Sequence, residues 1–364
     1  MTNLGGSRGD ASPGRRLFGA LVYPLKIVIQ AGLLGAAVAT LAPLLAGATP
    51  LLGIFEAFRL QLCVGGALLT VLGLLFRPRA MALLGVLAVA WNLAILWPYL
   101  PLGGATPAVA AAPGGLKVVS ANLWYRNDSY EPAVSYLMQS DADVIGLVEL
   151  TPQWLTALQP LFERYPYRAD CMQTTPPCEI MLLSRHPFEK SFAGRIDGKR
   201  PAIVWGEIEF GGKTVTVAET HLPWPLLHAI DNGQATVAGT LQPEPLIGAE
   251  PLMQSQQSAA IAQYLSGLDN DLVLMGDFNS VPWSTTHKAL RAATGLHNDG
   301  PMVETWPAWG PFWMRLPIDH IFVRGGLERR DFRRGPYIGS DHLPVEAVIV
   351  ARGATTGDAT TGEQ

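Results

Sequence analysis

Eight polar residues stand where apolar runs begin or stop. Asn122 follows "VVSA", Glu149 follows "VIGLV" and His221 follows "VTVAET". Asp277 and Asn279 follow "LVLMG", Asp319 precedes "HIFV", and Asp341 and His342 precede "LPVEAVIV". One such residue is ordinarily a loop cap, because short polar side chains compete for backbone groups at strand ends. Six separate segments ending this way predict one site assembled along one rim of a sheet. Carboxylates and amides suit a hard, oxygen-seeking cation such as Mg²⁺ better than zinc. The histidines add groups that titrate near neutrality.

These residues need strands to hold them. "LKVVSANLW", "DVIGLVEL", "EIMLLSRHP", "DLVLMGDFN", "IDHIFVRGG" and "PVEAVIVA" read as strands bounded by turn residues. "AIVWGEIEFGGKTVTVAETHL" reads as two strands joined at a Gly-Gly hairpin. Helices are expected at "YEPAVSYLMQSDA", at "TPQWLTALQPLF" with Thr151 as N-cap and Pro152 first, and at "LMQSQQSAAIAQYLSGL". Many strands with interspersed helices predict a sheet core flanked by helices. His320 follows Asp319 and should face the other side of its strand. His186 reads as a loop residue. Arg329, Arg330, Arg333 and Arg334 read as a solvated edge rather than a phosphate site. Cys171 and Cys178 enclose six residues. A disulfide is favoured there over metal binding, because no His or third Cys stands at zinc-ligand spacing nearby.

The first hundred residues have another character. Runs 27–45, 60–76 and 80–100 carry no charge. Each is long enough to cross most of a hydrocarbon core of about 30 Å, so three transmembrane helices are expected. Arg8, Arg15, Arg16 and Lys26 precede the first run, and Arg77 and Arg79 fill the second connection, whereas 46–53 has no charge. The positive-inside rule then places the N-terminus in the cytoplasm and everything after residue 100 outside. The chain divides into a cytoplasmic tail (1–20), a membrane domain (21–100), a linker (101–115), a catalytic domain (116–351) and a disordered tail (352–364). Residues 1–113 hold seven Lys/Arg and two Asp/Glu, a charge of +5, so the remainder carries −9 of the total −4. An acidic main domain argues against broad, charge-driven binding of nucleic acid.

"SANLW", "VIGLVEL", "ETHL", "GDFNSVP", "IDHIFV" and "GSDHLPV" together resemble the endonuclease/exonuclease/phosphatase superfamily, in the family's order and over residues 116–351. The resemblance implies an α/β fold, a four-layer α/β/β/α sandwich, here preceded by the membrane helices. It implies a metal-dependent phosphoric ester hydrolase using Mg²⁺, with Mn²⁺ as a substitute. Glu149 matches the metal-binding glutamate, Asn122 the asparagine beside it as ligand or orienter, and Asp341 a residue that orients the site or touches metal. Asp277 matches the aspartate that positions or deprotonates the attacking water, and Asn279 donates its amide to phosphate. His342 matches the histidine beside the scissile phosphate, with Asp319 as its carboxylate partner. His221 matches the second histidine, which protonates the leaving oxygen or binds developing charge.

The AP-endonuclease branch has a tyrosine-and-asparagine motif where this chain has "ETHLPWP". That departure, with an extracytoplasmic position at a bacterial inner membrane, argues against abasic-site repair. The long stretch 225–253 follows His221 and is expected to shape substrate access. Trp224, Trp306, Trp309 and Trp313 suit an interface with lipid headgroups or loop packing. The expected substrate is a phospholipid or small phosphoester. The alternatives are an extracytoplasmic nuclease and a membrane-anchored binding domain without turnover. No protein partner is inferable.

Overall fold

The computed structural model describes residues 13–76, 79–100, 114–175, 177–198, 201–224, 250–298 and 300–353. The expected tail up to residue 12, the linker up to 113, Arg77, most of the access segment (225–249) and the C-terminal tail from 354 lie outside the described residues.

Three helices open the chain: α1 (Pro13–Leu41), α2 (Arg59–Leu75) and α3 (Arg79–Leu96). α1 begins inside the stretch expected to be a tail, and Pro24 lies within it. Pro43 falls in the 3-10 turn Ala42–Leu45 that ends the helix, as a residue without a backbone N–H favours. The expectation of three transmembrane helices is corrected. Among the described residues, two apolar segments, Val22–Leu45 and Arg79–Tyr99, are long and apolar enough to cross a membrane. α2 has 17 residues and is shorter. Arg59 opens it and Arg77 and Arg79 follow it in the sequence, so charge bounds the apolar run at both ends. The side chains of Thr40, Arg59 and Asn92, one from each helix, form a polar link. Asn92 accepts from Arg59 Nη1 at 3.0 Å and donates to Thr40 Oγ1 at 2.8 Å. Thr40 and Asn92 lie near the C-terminal ends of their helices and Arg59 at the start of its own. α1 and α3 therefore run in the same direction, with α2 returning between them.

The remaining elements alternate strands and helices: β1 (Leu116–Asn122), α4 (Tyr130–Gln139), β2 (Val144–Val148), α5 (Pro152–Ala157), α6 (Gln159–Arg164), β3 (Tyr167–Asp170), β4 (Ile180–Ser184), β5 (Lys190–Arg195), β6 (Ala202–Phe210), β7 (Lys213–His221), α7 (Glu250–Ser266), β8 (Asp271–Asp277), α8 (Thr285–Thr294), β9 (Asp319–Arg324), β10 (Leu327–Arg334) and β11 (Val345–Ala351). They build two sheets, ordered β10-β11-β1-β2-β4-β3 and β5-β6-β7-β8-β9. β1–β2 and β7–β8 are the parallel pairs; the other paired strands run antiparallel.

Period-two alternation sorts the side chains into layers. In β1, Val118 packs between the sheets, while Val119 and Ala121 face Leu137, Trp154 and Leu161 on the helices outside. In β8, Val273 and Met275 face inward, while Leu272 and Leu274 meet Ile261, Leu265 and Leu290 on the opposite exterior. The result is helix, sheet, sheet, helix. The single helix expected over "TPQWLTALQPLF" is two, because Pro160 cannot continue the first, and Thr151 makes no side-chain cap. The arginine run forms β10, an edge strand. Its side chains are spent on Ile321 O, Asn298 O, Glu328, Glu346 and Glu304. Cys171 and Cys178 form a disulfide, with Cα atoms 5.3 Å apart, between β3 and β4.

Candidate active site

β1 ends at Asn122, β2 at the residue before Glu149, β7 at His221 and β8 at Asp277. β9 starts at Asp319, and His342 lies just before β11. The two parallel pairs and their antiparallel neighbours therefore present these side chains at one edge of the sandwich. Register confirms the placement: Asn122 lies opposite Val148, His221 opposite Asp277, and Asp277 opposite Asp319. Two glycines permit the close packing beneath. A Cβ on Gly276, whose φ is +141°, would stand 1.8 Å from Thr220 O. One on Gly146 would stand 1.9 Å from Glu219 Oε2. Glu219 is wholly buried between the sheets and accepts from Ser120 Oγ at 2.7 Å. Burial raises its pKa well above the usual carboxylate range.

Asp277 is the hub. Its Oδ1 accepts from the Asn279 backbone N–H at 2.8 Å, and its Oδ2 accepts from Asn122 Nδ2 at 3.1 Å. His221 Nε2 lies 3.7 Å and His342 Nε2 3.6 Å from that same Oδ2. Burial raises the Asp277 pKa well above its ordinary value, and the neighbouring His342 offsets part of the rise. Asn122 also donates to Glu149 Oε1 at 2.8 Å, while its own carbonyl oxygen accepts from Trp124 N. That second bond directs its NH₂ toward the two carboxylates. Glu149 sits at φ +60°, a costly conformation for a non-glycine residue that turns its side chain off the strand toward the rim. Its Oε1 is 3.8 Å from His221 Nε2.

His342 Nδ1 bonds Asp319 Oδ2 at 2.9 Å. Burial alone would lower the histidine pKa, but Asp319 and Asp277 overcome this and raise it well above the ordinary value. The direction favours the protonated ring. His320 is the contrast. It faces away, bonds Ser280 O at 2.8 Å, and burial pushes its pKa down to about 4. Asn279, at φ +47°, donates to Leu222 O at 2.9 Å and stands 3.5 Å from His221 Nε2.

Ligand atoms of Glu149, His221 and Asp277 lie within 4.8 Å of one another, as do those of Asp277, Asp319 and His342. Asp341 joins neither group. Its Oδ2 accepts from Trp306 Nε1 at 3.1 Å, and its buried Oδ1 has no hydrogen-bond partner among the described residues. Two contributors escaped the sequence reading. Ser340 donates to Asn122 O at 2.7 Å and accepts from His342 N at 3.0 Å, tying the "SDH" turn to β1. Trp306 positions Asp341. The residues around these motifs carried the only signal. A pocket of about 340 Å³ lined by Trp124, Arg126 and Tyr337, among others, opens next to this turn.

An α/β sandwich of two sheets with acids, amides and paired histidines at one rim defines a class of hydrolase-like sites. The chain belongs to the Endonuclease/Exonuclease/phosphatase family, whose sequence model matches residues 119–342; members are typically metal-dependent hydrolases of phosphoesters. The chain is similar in structure to an endonuclease/exonuclease/phosphatase from Bacteroides vulgatus, at 15% identity over 65% of this chain and 99% of that one, with TM-score 0.51. A conserved protein of unknown function from Enterococcus faecalis V583 matches at 15% identity over 65% and 100%, with TM-score 0.50. Sphingomyelinase C from Streptomyces griseocarneus matches at 18% identity over 64% and 99%, with TM-score 0.45. At these identities the likeness is one of fold. No curated protein matches the chain.

Proposed function

We propose that the protein is a metal-dependent phosphoesterase, anchored in a membrane by its apolar helices, with its catalytic domain outside the cytoplasm. The convergence of Glu149, His221, Asp277, Asn279, Asp319 and His342 at one rim carries this reading. Asp277 takes the proton of the attacking water; a base with a raised pKa is better matched to neutral pH. The His342 imidazolium, fixed by Asp319, and the Asn279 amide stabilise charge on the phosphoryl oxygens. His221 returns a proton to the leaving oxygen. The cluster at Glu149 and the orphaned Asp341 oxygen fit a hard divalent cation, Mg²⁺ with Mn²⁺ as a substitute. Bound beside Glu149, with Asn122 orienting the carboxylate, it would supply Lewis-acid stabilisation of the transition state.

Calorimetric titration of the full chain with Mg²⁺ should show binding that Glu149→Gln abolishes, and chelator should stop hydrolysis of bis-p-nitrophenyl phosphate. Unchanged Mg²⁺ binding in Glu149→Gln, together with turnover that survives chelation, would overturn the proposal.

Orientation is supported by the bundle's polarity. The start of α1, with Arg15 and Arg16, and Arg79 at the start of α3 lie at the end away from Thr40, Arg59 and Asn92. The disulfide fits an oxidising compartment. A reporter fused at Gln364 should be active only outside the cytoplasm, and Cys171 and Cys178 should resist thiol labelling until reduced. A cytoplasmically active reporter with both thiols free would reverse the orientation.

A further inference from the structure

The loops that leave the active-site rim are the ones that meet the helical bundle. Val281 and Trp283 follow Asn279, Leu316 and Ile318 precede Asp319, and Trp224 follows His221. All five share an apolar cluster with Ala57, Leu60, Ile95, Leu96 and Tyr99 from the bundle end. Hydrogen bonds fix the contact. Trp283 Nε1 donates to Glu56 O at 2.6 Å, and the Glu56 carboxylate accepts from Thr285 N and Oγ1 at 2.8 and 2.9 Å. Tyr99 Oη donates to Pro282 O at 3.2 Å, and Met302 N donates to Tyr99 O at 2.9 Å. The catalytic edge therefore faces the end of the apolar bundle.

Beside this contact, the loop 309–314 holds four large apolar side chains in the open. Trp309 is 75% exposed, Phe312 64%, Trp313 47% and Met314 43%. Clustered exposure of this kind marks an interaction surface. The loop is rigidly held. Arg315 donates to Gly310 O and Ala308 O at 2.8 and 2.9 Å, and Ala308 N donates to Asp341 O at 2.7 Å, one residue from His342. Gln61, in the first turn of α2, ties the loop to the bundle: its Nε2 donates to Trp313 O at 3.3 Å and Met314 O at 3.2 Å. The exposed apolar faces of α2 and α3 continue from there through Val64, Leu68 and Leu93, with Trp91 and Trp97 placed as an interfacial belt would be.

We propose that this aromatic loop dips into the bilayer beside the bundle and holds the active-site rim at headgroup level. The substrate is then the phosphoester of a membrane lipid headgroup, reached from within the membrane plane. This inference rests on the phosphoesterase reading above. A lipid surface is favoured over nucleic acid because the loop is apolar and the domain's formal charge is negative.

The test uses the full chain with Mg²⁺ in vesicles of phosphatidylethanolamine, phosphatidylglycerol, phosphatidic acid and sphingomyelin. Joint replacement of Trp309, Phe312 and Trp313 by Ser should slow release of headgroup or phosphate from vesicle lipid by about tenfold or more, from lost interfacial burial. Hydrolysis of soluble bis-p-nitrophenyl phosphate should be unchanged. A triple variant that cleaves vesicle lipid like its parent would overturn the inference. So would a parent that cleaves plasmid DNA but no vesicle lipid. Independently of turnover, a fluorophore on Trp309→Cys in a Cys63→Ala background should be quenched by headgroup-level spin-labelled lipid, and an unquenched probe would also overturn it. A parent that turns over no phosphoester, yet shows a quenched probe, would refute the phosphoesterase reading and uphold the bilayer contact.

Discussion

Asp277→Asn is expected to cost two to four decades of turnover on bis-p-nitrophenyl phosphate, about the range of a lost general base with its electrostatic contribution. The substitution keeps volume and shape. One oxygen remains at 277, so it bonds either the Asn279 N–H or Asn122 Nδ2 but not both, and no group at 277 then takes a proton. The loss should fall in kcat rather than KM, because Asp277 is 1% exposed beneath the rim. Against that lost bond stands the removal of a buried charge. A carboxylate whose folded pKa is raised contributes its stability below its unfolded pKa, and that contribution is lost as pH rises through the folded value. At neutral pH the buried carboxylate is thus a liability, and Asn should leave the thermal midpoint unchanged or higher. Turnover within tenfold of the parent would remove Asp277 from the proposed role.

His342→Ala should cost a similar two to four decades, since it deletes the cation beside the phosphoryl position. The informative partner is Asp319→Asn. Asp319 is the leading cause of the raised His342 pKa, so without its charge that pKa must fall. Activity that depends on imidazolium is lost as pH rises through the histidine pKa. The alkaline limb of the rate profile should therefore move to lower pH in Asp319→Asn. Stability follows the same sign. The raised His342 pKa contributes stability that is fully present below the ordinary histidine pKa and lost as pH rises through the folded value. An Asp319→Asn profile that superimposes on the parent's would dismiss the pairing, whatever the size of the rate loss.

Much of the catalytic domain was legible in the sequence because strand signals are local. Apolar runs such as "VIGLV" and "LVLMG" announce buried strands, and the chemistry-bearing residue stands where the run must leave the core. Glu149 and Asp277 were readable for that reason. The polar strand β10 was not, since "LERRDFRR" is an edge whose arginines find partners on other strands. The 17-residue length of α2 stood in the sequence as the run 60–76, and Pro160 offered a local break that was not read, whereas the side of Asn122 that faces the carboxylates had no local signal. That side depends on hydrogen-bond partners from other strands, which no local pattern names.

By itself, the sequence determined which residue types end which strands, that apolar helices precede the domain, and that acids, amides and imidazoles stand at those strand ends. Only the tertiary structure decided that the His342 pKa is raised while that of His320, one residue from Asp319, is lowered. The difference lies in which carboxylates face each ring. It also decided that Gln61 meets Trp313 and Glu56 meets Thr285, across separations of 252 and 229 residues. Contacts of that range arise from how separately folded layers pack, and no periodicity along the chain encodes them, so the seating of the catalytic rim on the apolar bundle is a property of the assembled fold.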